Sequence, residues 1–137
     1  MSWSARYVGL PYAPVGRDWD GVDCWGLARL VYHHEAGIEL PSYTQPCQSA
    51  EERAEVAMLV ARDTASPIWR PVAVPSRPLD VIVFRVGRHD SHMGIAIGES
   101  GLMLHVSRGA SSRLESWRDG YWRPRISGFY RHAELDR

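Results

Sequence analysis

The residues with the clearest chemical potential are Asp23 and Cys24, within the stretch Gly9 to Val31. Apolar residues recur after them at helical spacing: Leu27, Ala28 and Val31. Asp23 has the position of an N-cap, which places Cys24 in the first helical turn, at the positive end of the helix dipole. This position favours the thiolate, the nucleophilic form of cysteine. The alternative use of Cys24 is as a small buried apolar residue, which is the commoner fate of a free cysteine.

Two of the six histidines, His92 and His105, belong to a predicted hairpin that turns between Gly98 and Gly101. If these glycines pair, Gly94 lies opposite His105, and the two histidines become diagonal neighbours on one face, within side-chain reach. Gly94 then leaves room on that face for another element. The other histidines have simpler explanations, at a helix end, in a polar turn or near the terminus: His33, His34, His89 and His132.

A cysteine at a helix N-terminus, a histidine base and a second group that orients the histidine are the components of cysteine-dependent acyl transfer. The competing use of Cys24, His92 and His105 is a metal site, but a fourth ligand at a familiar spacing is missing. Cys47 lies in a predicted loop without a partner motif and is interpreted as a bystander thiol. The pattern therefore favours a nucleophilic enzyme with neither metal nor cofactor.

The elements that must position these residues form an α+β pattern. The first helix is expected to end at Gly37, and a capping box predicts a second helix over 49–62. The proline-rich segment 67–78 is interpreted as an irregular surface crossing, at best an edge strand. Strands are predicted at four places: 79–86, 92–98, 102–107 and 126–131. Because the strands follow the helix without βαβ alternation, we expect an antiparallel sheet and one domain over residues 1–137.

Composition limits the classes of partner. The chain has 137 residues, 45% of them hydrophobic, and its 16 basic residues balance 16 acidic ones, so we expect no nucleic-acid partner. No apolar run approaches the ~18 residues of a membrane span, and the N-terminus lacks the pattern of a signal peptide. Two cysteines do not make a disulfide framework. We therefore expect synthesis in a reducing cytoplasm.

Three segments together resemble the NlpC-like cell-wall peptidases, in particular the short forms of phage tail and gene-transfer-agent clusters. The segments are Tyr12 with Asp23–Leu27, then Ser91–Ile95, then Leu104-His105. The resemblance implies a papain-like α+β fold, with the nucleophile at the start of a helix packed on an antiparallel sheet. It also implies cleavage of peptide bonds in the stem peptides of bacterial peptidoglycan.

The resemblance implies a role for each matching residue. Cys24 becomes the nucleophile, His92 the base and His105 the orienting third residue. Tyr12 matches a tyrosine that lies near the nucleophile and, with the Cys24 backbone N–H, stabilises an oxyanion. Asp23 matches an aspartate that holds a free amine of the substrate in cell-wall-recycling relatives.

Trp25 is a departure from the family pattern. The recycling relatives carry serine at this position, so Trp25 is expected to change the substrate-binding surface and puts the amine specificity of Asp23 in question.

The same resemblance implies assembly into a phage or phage-like tail tip, which would carry the protein to the cell wall of a recipient. We expect the segment Trp117–Arg123 to contact tail-tip or baseplate proteins, outside the catalytic site, because aromatic residues and arginine are enriched at interface hot spots. The alternative is that its rings cover the open face of the sheet. Two other functions stay open: a structural tail-tip component that retains the peptidase fold with little or no turnover, and an acyltransferase that uses the same residues.

Overall fold

The computed structural model describes residues 3–14, 16–40, 69–75, 77–86, 89–98 and 100–136. The helix that starts with the cysteine, α1, spans Cys24–Val31 and continues as a π-helical turn over Tyr32–Ala36. It ends at Gly37, which has a left-handed φ of 68° and donates its N–H to the His33 carbonyl at 3.2 Å. The predicted start and end of the first helix are therefore confirmed.

Among the described residues, eight strands form two antiparallel sheets. They are β1 (Arg17–Asp18), β2 (Gly21–Val22), β3 (Trp69–Val72), β4 (Pro78–Val86), β5 (His89–Ile97), β6 (Leu102–His105), β7 (Arg113–Ser116) and β8 (Ile126–His132). The pair β1 and β2 is a small hairpin, and the large sheet has the order β3-β8-β4-β5-β6-β7. Short 3₁₀ helices lie at Trp3–Tyr7, Arg123–Arg125 and Ala133–Asp136. The α+β class, with one helix packed on an antiparallel sheet, is confirmed.

Tight backbone packing holds the start of α1 against the loop before it. A Cβ atom at Gly26 would lie 1.9 Å from the carbonyl oxygen of Gly16, and a Cβ at Gly16 would lie 2.4 Å from the carbonyl oxygen of Gly21. Only residues without side chains allow backbone segments to approach this closely. The glycines of this stretch therefore lock the β1–β2 hairpin onto the first turn of α1.

The hairpin of β5 and β6 has the predicted register. Ile95 pairs with Leu104 and Ala96 pairs with Met103, which is the alignment expected from a turn between Gly98 and Gly101. The space expected beside Gly94 is filled, because a Cβ there would lie 2.4 Å from the sulfur of Met103. The side chain of Met103, from the neighbouring strand, therefore occupies the space beside Gly94.

The sheet buries two different cores. The face covered by α1, called here the first face, packs aliphatic strand residues against the helix: Val81, Val83, Met93, Ile95 and Leu104. The second face is covered by the chain that follows β7. Its core contains Ile82, Phe84, Ala96, Met103, Trp117 and Trp122. Because side chains alternate along a strand, His92 and His105 belong to the second face.

Three predictions about elements have different outcomes. Within the proline-rich segment, Trp69–Val72 is an edge strand on β8 rather than an irregular crossing, and its position at the sheet edge tolerates Pro71. Strand β7 was not predicted. The second helix and Cys47 lie outside the described residues, and a single domain over 1–137 stays a prediction.

No helix among the described residues is long and apolar enough to span a membrane.

Candidate active site

Asp23, immediately before Cys24, caps the first turn of α1. Its backbone is extended, and its Oδ1 accepts the backbone N–H of Gly26 at 2.7 Å, as an N-cap does. The same oxygen accepts a hydrogen bond from Nη1 of Arg17 at 2.6 Å. Cys24 carries a reduced thiol and is 2% exposed. The predicted cap is confirmed, and the thiol lies at the positive end of the helix.

The segment of Tyr12 runs alongside the residues that lead into Cys24. Tyr12 forms an isolated parallel bridge with Val22. On either side of it, Ala13 donates its N–H to the Val22 carbonyl and Val22 donates to the Pro11 carbonyl, both at 3.0 Å. Tyr12 is half-buried and packs against the first core. Tyr12 therefore lies beside Val22, which is two residues before Cys24 in the chain.

His92 and His105 are in direct contact. Nε2 of His92 lies 3.0 Å from Nδ1 of His105, and the ring planes are nearly perpendicular at 81°. His92 is 6% exposed and His105 is fully buried. The predicted diagonal arrangement of the two imidazoles is therefore observed, on β5 and β6 of the second face.

Glu115 extends this pair and was missed by the sequence analysis. Its Oε1 lies 2.7 Å from Nε2 of His105 and 3.2 Å from a guanidinium nitrogen of Arg113. Glu115 lies on β7, directly opposite Met103, and therefore next to His105 on the same face. Strand β7 has only four residues and two of them are charged, so the pattern carries no clear strand signal.

Trp122 covers both histidines. Its ring stacks on His92 with 4.8 Å between centroids and 18° between planes, and it meets His105 edge-on at 5.2 Å. It also hydrogen-bonds to the carboxylate of Glu115.

The interpretation of Trp117–Arg123 as a docking surface outside the site is wrong for its tryptophans, because Trp117 and Trp122 are buried on the second face. Tyr121, at 56% exposure, is the aromatic residue of this segment that faces solvent.

Burial shifts the proton affinities of this cluster. It lowers the pKa of His92 from 6.5 to about 3, and the neighbouring His105 and Arg113 act in the same direction. Burial also lowers the pKa of His105, against the hydrogen bond to Glu115, which raises it. For Glu115, burial raises the pKa, but the hydrogen bonds from His105 and Trp122 outweigh it, so the pKa is lowered overall. At neutral pH both imidazoles are therefore uncharged and the carboxylate is ionised.

Trp25 and Asp23, which were expected to bind substrate, are both buried in the protein. Trp25 is 1% exposed and packs in the first core, so the expectation that its side chain contacts the substrate is corrected. Asp23 is also buried, with its carboxylate engaged by Gly26 and Arg17. Its part in binding a substrate amine stays a prediction. Within the described ranges, no group of three or more His, Cys, Asp or Glu side chains is arranged to hold a metal ion.

Two curated proteins are similar to this chain in sequence. The chain is 27% identical over 127 residues to "Murein DD-endopeptidase MepS/Murein LD-carboxypeptidase" of Escherichia coli strain K12, covering 93% of this chain and 58% of the relative. The chain thus spans little more than half the length of that relative. A shorter match, 36% identical over 58 residues, links it to "Protein P54" of Enterococcus faecium, covering 42% of this chain and 11% of the relative.

Solved structures have the same fold. The NlpC/p60 domain of the peptidoglycan hydrolase SagA superimposes with a TM-score of 0.61 at 20% identity, covering 93% of this chain and 92% of that one. An NlpC/P60 family protein from Bacillus cereus ATCC 10987 superimposes with a TM-score of 0.64 at 24% identity, covering 94% of this chain and 37% of that one. A model of the NlpC/P60 family matches residues 9–131. The chain therefore belongs to the NlpC/P60 family.

Proposed function

We propose that this chain is a cysteine peptidase that cleaves peptide bonds in the stem peptides of peptidoglycan. The observation that carries the proposal is the buried, hydrogen-bonded pair of His92 and His105 on β5 and β6, with α1 and its N-terminal Cys24 packed on the same sheet. Burial of Cys24 by itself fits either use of the thiol that the sequence left open. The paired imidazoles favour the nucleophile, since an apolar packing role requires no such pair.

In the proposed reaction, Nδ1 of His92 takes the proton of the Cys24 thiol, and the thiolate attacks the carbonyl carbon of the scissile bond. The resulting oxyanion is stabilised by the backbone N–H of Cys24 and the hydroxyl of Tyr12. The imidazolium of His92 then gives its proton to the leaving amine, and water hydrolyses the thioester. His92 is a weak base on its own, but the thiolate that forms beside it stabilises its charged form.

This mechanism sets a geometric requirement. The body of α1 covers the first face of the sheet, whereas His92 points to the second face. The thiol of Cys24 and the imidazole must therefore meet beside the sheet, near the start of β5, rather than across it. A distance of about 3–3.5 Å between Sγ and Nδ1 is needed for the proton to move.

The relatives support the choice of substrate. MepS is named as a murein endopeptidase, and SagA is named as a peptidoglycan hydrolase. Together with the family membership of residues 9–131, these names make a peptidoglycan peptide the substrate that we propose.

The test is digestion of purified sacculi by the full chain, followed by mass spectrometry of the muropeptides. We expect new peptides whose masses correspond to hydrolysis of one stem-peptide bond, and no such products with Cys24→Ala. Transfer of an acyl group to an added amine instead of water would identify an acyltransferase. Absence of any product from wild-type protein on sacculi of several peptide compositions would reject the enzymatic proposal and favour a structural component.

We further propose that the enzyme is made in the bacterial cytoplasm and carried in a phage-like tail tip, where it opens the recipient's wall during DNA delivery. The support is the resemblance of the Tyr12, Asp23–Leu27 and Leu104-His105 segments to the short peptidases of tail clusters. Immunoblots of purified particles from the strain that encodes the chain test this. We expect the protein in particles from wild-type cells, and its absence from them would reject the tail assignment.

A further inference from the structure

The histidine pair does not end at His105. Oε1 of Glu115 lies 2.7 Å from Nε2 of His105, and Nδ1 of His105 lies 3.0 Å from Nε2 of His92. Three polar groups from β5, β6 and β7 thus form a continuous chain of hydrogen bonds. His105, in the middle of this chain, is fully buried, so its ring nitrogens cannot form hydrogen bonds with bulk water.

The direction of each hydrogen bond follows from the charge at the end of the chain. An ionised carboxylate can only accept hydrogen bonds, so Nε2 of His105 must carry a proton and donate it to Glu115. A neutral imidazole carries one proton, so Nδ1 of His105 is an acceptor. Nε2 of His92 must then donate to it, which leaves Nδ1 of His92 without a proton.

The opposite order is disfavoured. If His105 carried its proton on Nδ1, the lone pair of its Nε2 would face the carboxylate of Glu115 across 2.7 Å, without a proton between them. Two acceptors at this distance repel, and Nε2 of the fully buried His105 would be left without a hydrogen bond. The carboxylate cannot easily turn away, because Arg113 lies 3.2 Å from it and Trp122 also hydrogen-bonds to it.

We propose that Glu115 is a positioning residue that fixes the tautomers of both histidines, so that the free lone pair on Nδ1 of His92 is the base for the nucleophile. In the proposed reaction, Glu115 contacts His105 and acts through it. The inference rests on the proposed peptidase mechanism for its consequence in catalysis. The tautomers themselves are a property of the resting protein and exist with or without a substrate.

The experiment is long-range ¹H–¹⁵N correlation NMR of the histidine side chains in the full ¹⁵N-labelled chain at neutral pH. In the wild type, we expect both rings to carry the proton on Nε2. Glu115→Met keeps a side chain of similar length and replaces the carboxylate by a weakly accepting thioether, so we expect His105 to populate both tautomers. Glu115→Gln keeps one acceptor oxygen for several competing donors and should give an intermediate result.

Kinetics on muropeptides separate positioning from general structural damage. We expect Glu115→Met to lower kcat by at least ~10-fold, as a partial loss of general base catalysis, and to change KM by less than about threefold. Asp119→Asn is the control, because Asp119 is an exposed carboxylate of the following turn. It should leave both the tautomers and kcat unchanged.

Two results would overturn the inference: wild-type His105 protonated on Nδ1, or Glu115→Met with both rings still protonated only on Nε2. If Glu115→Met does not fold, the wild-type spectrum and Glu115→Gln decide, since unchanged tautomers and kcat in Glu115→Gln would contradict competition for one oxygen. If the wild type cleaves no peptidoglycan at all, the proposed function fails, while the spectra still decide the part of Glu115.

Discussion

The two regions that supply the candidate site are built in different ways. The segment from Gly16 to Gly26, which leads into α1, is held by contacts between residues close in the chain. Asp23 caps the helix, and glycine backbones pack directly on one another. The histidine cluster is assembled from distant parts of the chain, since His92, Glu115 and Trp122 come from separate elements of the second face. One region is held by backbone packing and the other by strand register and buried side-chain hydrogen bonds.

Burial therefore has a different effect in each of the two regions. At the helix start, burial leaves no room for a side chain, so the backbone that carries Cys24 has one position. In the histidine cluster, burial lowers the pKa of His92 to about 3, so the ring is uncharged at neutral pH. We therefore expect changes at the helix start to reduce mainly stability, and changes in the histidine cluster to reduce mainly turnover.

The largest effect is expected in the histidine cluster. His92→Ala removes the base and should reduce turnover by ~10²–10⁴-fold, whereas His105→Ala should leave weak activity because the base is still present. Both variants should keep the far-UV circular dichroism of the wild type. Steady-state kinetics on muropeptides are the measurement, and a folded His105→Ala variant more impaired than His92→Ala would reverse the two roles.

The next effect concerns the helix start. Gly-to-Ala in a helix ordinarily stabilises by ~0.5–1 kcal/mol, but the new methyl at position 26 would lie 1.9 Å from a backbone oxygen. Overpacking of this kind costs ~1–3 kcal/mol, so Gly26→Ala should lower the free energy of unfolding. Urea denaturation measures it. Gly128→Ala in β8 is the matched control with a smaller expected loss, because its close neighbour is the end of the Tyr130 side chain.

The third effect is a dependence of stability on pH. Between pH 6.5 and about 3, His92 binds a proton in the unfolded chain but not in the folded one. The free energy of unfolding should therefore fall as the pH falls through this window, with up to ~1.4 kcal/mol per pH unit from His92. Urea denaturation at pH 7, 6 and 5 should show a flatter dependence for His92→Gln than for the wild type. Parallel curves would show that this ring does not titrate as its burial implies.

The smallest effect isolates the N-cap. Asp23→Ala should lower the free energy of unfolding by ~1 kcal/mol, the usual cost of losing a cap. Asp23→Asn keeps an oxygen for the Gly26 N–H and loses only the charge toward Arg17, so it should fall between the wild type and Asp23→Ala. Equal stabilities of the Asn and Ala variants would mean that the ion pair, rather than the cap, is what Asp23 contributes.

The two regions also differ in how far sequence alone predicts them. The cap at Asp23 and the helix after Cys24 depend on neighbours in the chain, and both were predicted correctly. The pairing of His92 with His105 was predicted because a short glycine-bounded turn sets the register. Glu115 and Trp122 join the cluster through a short charged strand and a loop, whose positions depend on long-range packing that no local pattern encodes.

The burial of Trp25 was missed for a related reason. Its place after the cysteine suggested a contact with substrate, but the position of a helical side chain depends on what the helix packs against. The same holds for Trp117, whose ring covers the second face of the sheet. A large aromatic residue has equal sequence signals for a core and for a contact surface, and only the fold distinguishes them.

The central claim is that Cys24 is a nucleophile activated by the helix N-terminus and by His92. The most direct measurement is the rate of iodoacetamide alkylation at Cys24 and Cys47 across a pH series, read by peptide mass spectrometry in the wild type and in His92→Ala. We expect Cys24 to react faster than Cys47 near neutral pH, and to slow in His92→Ala, because the helix dipole stabilises its thiolate and the imidazole accepts the thiol proton. Equal rates at the two cysteines, rising only near pH ~8.5 as for a free thiol, would contradict the claim.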